Sequence, residues 1–72
     1  MEKLAKVKRN LQRKGLEGSV QAQSLRDSVL LTGTVKNWKE KVDAGYAAAH
    51  QGFKGVINDI SVEGLEEEII HK

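Results

Sequence analysis

The chain contains no cysteine and no proline, and its 72 residues include only two histidines and three aromatic side chains. Without cysteine there is no disulfide, no cysteine-based zinc site and no thiol nucleophile. No apolar run approaches the roughly 18 residues of a transmembrane helix. Because so few side chains suit acid–base or metal chemistry, we expect no enzymatic activity, no metal site and no bound cofactor.

Charge is distributed unevenly along the chain. Residues 1–14 have a net charge of +5, and residues 63–72 have a net charge of −3. We predict one small domain over residues 1–62 and an acidic, at most partly ordered tail over residues 63–72. The basic end favours anionic partners such as phosphates or lipid headgroups. The alternative is an ordinary solvated helix face.

Hydrophobic periodicity predicts two helices and three strands. The helices are predicted over residues 3–14 and 38–51, and the strands over residues 19–26, 29–35 and 56–62. In the first helix, Leu4, Val7 and Leu11 recur at helical spacing and form an apolar stripe. The second strand has the clearest alternation of apolar and small polar residues. Gly15 and Gly52 are predicted to end the two helices.

The second helix has a recognisable start. Asn37 is a suitable N-cap, and Glu40 three residues later completes a pattern like a capping box. We expect the side of this helix that faces the sheet to contain Trp38, Val42, Gly45, Tyr46 and Ala49. Gly33 lies on the helix-facing side of the second strand, where glycine needs a packing reason. We therefore predict that Gly45 and Ala49 bring the second helix close above Gly33.

The order of elements is α-β-β-α-β, which indicates an α+β fold. A hairpin makes the first strand antiparallel to the second, and a right-handed crossover makes the third strand parallel to it. This predicts a three-stranded mixed sheet of order 1-2-3 with both helices on one face. The other face stays open and presents Leu25, Leu30 and Ile57. These form either a contact patch or a modest cluster partly covered by the tail residues Leu65, Ile69 and Ile70.

Two features are candidates for contact with a membrane or an anion. Lys6, Arg9 and Arg13 lie about 200° around the first helix from its apolar stripe. Trp38 begins the second helix beside Lys39. It either caps the core or lies partly exposed at a lipid interface.

The glycine motifs give a weaker signal. Residues 15–18 and 52–55 both fit G-x-x-G, which clamps backbone phosphates where it joins two helices. Here each stretch leads from a helix to a strand, which favours a simple helix stop. The predicted strand faces also lack exposed aromatic side chains on which bases could stack. These observations disfavour nucleic acid as a partner.

The chain resembles a known bacterial family, and the motif that carries the resemblance runs from the second predicted strand to the third. The pattern is Val29-x-Leu31-x-Gly33-x-Val35, an alanine-rich helix, and then Gly52-Phe53-x-x-Val56-x-Asn58-x-Ile60-x-Val62. It is similar to the BON domain, named after bacterial osmotically induced and nodulation proteins, and the resemblance covers roughly residues 4–62. It implies the same α-β-β-α-β fold, with structural roles for Gly33, Gly52 and Asn58.

The resemblance also implies a function. BON domains are non-enzymatic modules that associate with phospholipid membranes, often within periplasmic, cell-envelope or stress-response proteins. We expect an envelope location if the chain is part of a larger protein, and a cytoplasmic one otherwise, since no signal peptide is present. The alternative is a structural, regulatory or protein-interaction domain that docks on a parent protein or forms a homo-oligomer. Weak nucleic-acid binding is the third hypothesis.

Overall fold

The predicted α+β architecture is confirmed. A computed structural model describes residues 2–63. Its elements are α1 (Glu2–Arg13), β1 (Val20–Leu25), β2 (Ser28–Val35), α2 (Trp38–Ala48) and β3 (Gly55–Val62). The sheet has the order β1-β2-β3, with β1 antiparallel and β3 parallel to β2. The tail residues Leu65, Ile69 and Ile70, predicted to cover the open sheet face, lie outside the described residues.

The core lies between the two helices and one face of the sheet. Alternation along β2 sends Val29, Leu31 and Val35 to this face, where each is almost fully buried. Val7 and Leu11 of α1 are buried against them, as the apolar stripe predicts. Burying an aliphatic side chain of this size contributes about 1.5–3 kcal/mol. The remaining core residues are Leu16, Val20, Ala44, Ala47, Ala48, Ile60 and Val62.

A hydrogen bond and an ion pair join two loops at the hairpin end of the sheet. The turn between β1 and β2 is the two-residue segment Arg26-Asp27, with Arg26 at a φ of 56°. The Lys54 N–H donates to the Asp27 carbonyl at 2.8 Å. The Lys54 ammonium lies 3.8 Å from the Asp27 carboxylate. The hairpin turn is thereby joined to the residue that precedes β3.

The predicted N-cap of α2 is confirmed, but the bond of the Glu40 side chain differs from that of a capping box. The side-chain oxygen of Asn37 accepts a hydrogen bond from the Glu40 N–H at 2.9 Å. The Glu40 carboxylate in turn accepts from the Lys36 N–H at 3.1 Å. The reciprocal bond therefore reaches the residue before the cap instead of the cap itself. The first bond satisfies the Glu40 N–H, one of the donors that the first turn of a helix leaves unpaired, and the second satisfies the Lys36 N–H before the cap.

The predicted end of α2 is wrong. The helix stops at Ala48 and does not continue to residue 51, because Ala49 has extended backbone with φ −70° and ψ 150°. His50 follows in the left-handed region at a φ of 63°. These two conformations turn the chain toward β3 before Gly52 is reached, so Gly52 does not end the helix.

The predicted core face of α2 is also wrong. The buried residues are Ala44, Ala47 and Ala48, whereas Trp38 and Tyr46 are exposed. The large side chains of α1 and β2 already fill the space between the layers, which leaves room only for methyl groups beneath α2. Alanine side chains allow the helix backbone to approach the sheet, and the bulky residues of α2 therefore point outward.

Gly33 is required for a different reason than the one predicted. Gly45 of α2 lies against the Asn58 side chain of β3, and no atom of α2 is among the nearest neighbours of a Cβ at Gly33. Gly33 has a φ of 130°, and a Cβ there would overlap the Ser19 carbonyl oxygen and lie 3.1 Å from the Val20 Cα. The close approach therefore occurs within the sheet, against the chain that enters β1.

We predict that Gly33→Ala destabilises the domain by about 2 kcal/mol or more, because it adds a left-handed backbone strain to a backbone overlap. Gly18→Ala is the matched control, since nothing lies within 4 Å of a Cβ at Gly18. It should leave the unfolding free energy unchanged or raise it slightly. Urea unfolding followed by circular dichroism measures both variants. Equal stability of the two would contradict the proposed overlap.

Candidate functional site

The two helices lie side by side and antiparallel on the same face of the sheet. The Asn10 side-chain amide donates to the Ala47 carbonyl at 3.1 Å. Nearer the start of α1, the Lys3 ammonium donates to the Gly52 carbonyl at 3.2 Å. Earlier residues of α1 thus meet later residues of the α2 region. We call the sides of α1 and α2 that point away from the sheet the outer helical face.

The outer side of α1 is positively charged. Lys6, Arg9 and Arg13 are all exposed, while Val7 and Leu11 on the opposite side of the helix are buried. Helical spacing aligns the three cations along the axis. We call these three residues the basic stripe. They form a row of positive charge on the exposed side of α1.

The outer side of α2 is apolar and aromatic. Trp38, Val42 and Tyr46 recur every four residues and are 55%, 37% and 69% exposed. We call these three residues the aromatic ridge. The Lys41 ammonium lies 5.1 Å from the centroid of the Trp38 ring, within the range of a cation–π interaction. An exposed ridge of this composition is typical of a surface that contacts a partner or a lipid interface.

Lys39 adds a further cation beside the ridge. Its ammonium lies 3.4 Å from the Asp43 carboxylate, and its side chain is 85% exposed. A surface pair of this kind contributes little to stability. Lys39 therefore remains able to contact an anion from outside.

The predicted contact candidates are all exposed. They are Lys6, Arg9 and Arg13 on α1, and Trp38 and Lys39 on α2. The sequence reasoning missed Val42 and Tyr46 as surface residues because it assigned them to the core. The alanines at positions 44, 47 and 48, spaced i, i+3, i+4, were the signal for the competing buried face.

The open face of the sheet carries the second predicted set. Leu30 of β2 is half-buried and pairs in register with Ile57 of β3. Leu25 and Ile57 are 45% and 43% exposed. Toward the other end of the sheet this face becomes polar, with Thr32 paired to Asp59. The apolar patch is therefore confined to the hairpin end.

Two positions of the family-like motif hold the backbone. The Asn58 amide donates to the Lys41 carbonyl at 3.0 Å and joins β3 to α2. Gly52 has a φ of 95°, and a Cβ there would lie 2.8 Å from the Lys3 side chain. The Lys3 ammonium lies 5.4 Å from the Phe53 ring centroid. Asn58 and Gly52 therefore make their contacts within the domain, with Lys41 and Lys3.

A cleft of about 610 Å³ lies between α1 and β1. Its charged lining consists of Lys8, Arg9 and Glu17. Since the acid offsets one of the two cations, the cleft attracts an anion less strongly than the basic stripe does.

Two other features are absent from residues 2–63. Over this range, no group of three acidic, histidine or cysteine side chains is placed to hold a metal ion. Neither helix in the same range is long and apolar enough to cross a bilayer.

Comparison with known proteins returned no relative: no family model, no curated protein and no solved structure matches the chain. The resemblance to the BON domain therefore stays a prediction.

We predict that Trp38→Ala changes the unfolding free energy by no more than about 1 kcal/mol, since it removes a half-exposed ring and one surface cation–π contact. Leu31→Ala, at a fully buried position, should cost about 2–5 kcal/mol. Urea unfolding of both variants makes the comparison. A loss at Trp38 as large as that at Leu31 would show that the aromatic ridge belongs to the core.

Proposed function

We propose that this domain is a non-enzymatic module that binds anionic phospholipid surfaces through the outer helical face. The observation that carries the proposal is the exposed aromatic ridge of α2, on a helix that packs against the helix bearing the basic stripe. The resemblance to the BON domain favours the same function. The ridge and the stripe supply the two attractions that peripheral membrane binding needs.

The aromatic ridge supplies the apolar attraction. Tryptophan and tyrosine favour the boundary between headgroups and acyl chains, where the ring is apolar and its N–H or O–H stays hydrated. Trp38 and Tyr46 lie about 12 Å apart along the helix axis, with Val42 between them. An α2 helix lying parallel to the membrane would insert all three side chains together.

The basic stripe supplies the electrostatic attraction. A lysine or arginine near an anionic leaflet contributes about 1 kcal/mol, so the three residues of the stripe contribute about 3 kcal/mol together. Binding by one domain is therefore weak and sensitive to salt. Tandem copies or a second membrane-binding segment would raise the affinity through their effective concentration.

The same geometry argues against single-stranded nucleic acid as the ligand. Stacking requires successive bases to lie against neighbouring aromatic side chains. The roughly 12 Å between Trp38 and Tyr46 is far more than the rise between stacked bases. Val42, which occupies the space between them, offers no stacking surface.

We predict that the triple variant Lys6→Gln, Arg9→Gln, Arg13→Gln loses about 100-fold in binding to vesicles that contain phosphatidylglycerol. The matched control is Lys8→Gln, Arg26→Gln, Lys54→Gln, which removes the same charge from positions off the basic stripe. Trp38→Ala should weaken binding in both backgrounds. Co-sedimentation with vesicles of pure phosphatidylcholine and of mixed composition measures each effect.

Three results of this experiment would overturn the proposal. The first is failure of the unmodified protein to sediment with either kind of vesicle. The second is equal loss of binding in the stripe variant and its control, which would indicate general attraction by net charge. The third is tighter binding to duplex or single-stranded oligonucleotides than to anionic vesicles at the same salt concentration.

The open sheet face supports a second candidate function, self-association. The specific observation is the pairing of Leu30 with Ile57 next to exposed Leu25, on a face that no other described element covers. Two copies packed face to face would remove this patch from water. A dimer would also raise the low folding stability expected of a 72-residue chain without disulfides.

We predict for this second function a mass near twice 8.0 kDa at high protein concentration. Leu30→Lys should reduce it to that of the monomer, because a charge at the centre of the contact cannot be desolvated cheaply. Light scattering over a concentration series measures both. The matched control is Thr34→Lys, on the polar part of the same face. A monomeric mass for the unmodified chain at every concentration would exclude self-association.

A further inference from the structure

The outer edge of β1 carries unpaired backbone groups. β1 is the first strand in the order β1-β2-β3, and among residues 2–63 no strand pairs with its other side. The Thr34 N–H donates to the Ser19 carbonyl at 3.3 Å, which fixes the alternation of the antiparallel ladder. The bonds to β2 are thus made by the odd-numbered residues of β1. Ala22 and Ser24 therefore direct their N–H and C=O groups outward, away from the sheet.

This edge lacks the features that commonly protect an exposed strand. Proline, a charged side chain or a bulge on an edge strand discourages pairing with another chain. β1 reads Val-Gln-Ala-Gln-Ser-Leu, with neither charge nor proline, and its register with β2 is unbroken over all six residues. Only its start is closed, since the Val20 N–H donates to the Leu16 carbonyl at 2.9 Å. An open edge of this kind can accept an extended peptide through backbone hydrogen bonds.

The cleft between α1 and β1 opens along the same edge. Gln21 and Ala22 both line it, although successive side chains of a strand point to opposite faces of the sheet. A cleft that touches both residues therefore reaches the edge of the strand. Its other wall includes Ala5, Lys8 and Gln12, which helical spacing places along one side of α1. A strand added about 4.8 Å outside β1 would insert alternate side chains beside this wall.

The walls of the cleft indicate which inserted side chains fit. Ala5 and Ala22 are short and apolar, so they leave room for a small apolar side chain such as valine. Lys8 and Arg9 are opposed by one acid, Glu17, which leaves the lining with a net positive charge. A carboxylate among the inserted side chains would complement that charge. The cleft therefore suits a segment whose alternate residues are small and apolar or acidic.

A second copy of this chain is a poorer occupant of the edge. Two β1 edges paired about a two-fold axis would bring both α1 helices to the same face, on either side of the junction. Because residues 1–14 have a net charge of +5, this arrangement would set two strongly cationic segments against each other. β1 also has no acidic residue to insert. Charge thus favours an acidic partner segment over another copy of the chain.

We propose that the outer edge of β1 binds an extended segment of a partner protein, which adds as a fourth strand and inserts small apolar and acidic side chains into the cleft beside α1. Backbone bonds to Ala22 and Ser24 hold the segment, and the cleft selects its side chains. This function goes beyond the membrane binding proposed above. It requires no lipid and makes no use of the aromatic ridge.

Hydrogen exchange of single amides, measured by NMR on the full chain, tests the added strand. The probe is the capped peptide acetyl-Thr-Val-Thr-Glu-Thr-Val-Thr-amide, whose alternate residues are valine, glutamate and valine. Without peptide, the amides of Ala22 and Ser24 should exchange faster than those of Gln21 and Gln23, which bond to β2. Saturating peptide should slow exchange at Ala22 and Ser24 by about tenfold or more, because both N–H groups become paired.

Two results of the exchange experiment would overturn the proposal. The first is unchanged exchange at Ala22 and Ser24 when the peptide is added, since contact through side chains alone leaves these amides open. The second is slow exchange at both amides before any peptide is present. It would show that the edge is already occupied, by another part of the chain or by a second copy.

Variants of the chain separate backbone pairing from attraction by charge. Ala22→Pro removes an N–H that faces away from the sheet, at an edge position that tolerates proline, and should abolish peptide binding. Lys8→Glu should weaken binding about tenfold, and it changes an exposed side chain outside the core. The matched control Lys14→Glu makes the same change of charge away from the cleft and should weaken binding less than about twofold.

The charge variants also allow a reciprocal test. A peptide with lysine in place of glutamate should bind Lys8→Glu more tightly than it binds the unmodified chain. Equal effects of Lys8→Glu and Lys14→Glu on both peptides would indicate attraction by net charge alone and would refute the site. This test stands even if Ala22→Pro fails to fold. No measurement here contains lipid, so a negative result leaves the membrane function as it was.

Discussion

The contact between the alanine face of α2 and the sheet determines much of the molecule. Ala44, Ala47 and Ala48 are almost completely buried. Because their side chains end at Cβ, the backbone of α2 lies closer to β2 and β3 than a helix with leucines could. The contact buries little apolar area per residue, so polar bonds help to position the helix. Asn10 and Asn58 supply them from α1 and β3, each to a backbone carbonyl of the α2 segment.

The same contact creates the surface chemistry. A helix whose small residues face inward must carry its large residues elsewhere, and in α2 these are Trp38, Val42 and Tyr46. On α1 the large apolar residues Val7 and Leu11 face inward, and the cations face outward. One side of the sheet therefore carries both an aromatic surface and a cationic one. The packing of the core and the composition of the candidate site are two results of one arrangement.

Local sequence patterns predicted the helices and strands well. The buried face of α2, which was predicted wrongly, depends on side-chain size. The alternation in β2, the stripe in α1 and the cap at Asn37 need only neighbouring residues, and all three are confirmed. The basic stripe followed from the same helical geometry. Periodicity allows two buried faces on α2, one of alanines and one of large residues, and the choice between them depends on the volume already filled by α1 and β2. Gly33 was singled out correctly, but its overlap partner, Ser19, is fixed by how the chain enters β1 and not by the helix.

The tie between Asp27 and Lys54 has a consequence for the order of assembly. The hairpin of β1 and β2 joins residues that are close in sequence, and it can form early. The parallel pairing of β3 begins at Ser28 and Gly55, so it must close a loop that contains the whole of α2. That closure costs chain entropy before the alanine face gains any packing. We infer that α2 and β3 dock together as one cooperative unit. The hydrogen bond from the Lys54 N–H to the Asp27 carbonyl lies where the loop that contains α2 closes. Transient release of that unit would expose the parallel edge of β2 while the hairpin stays intact.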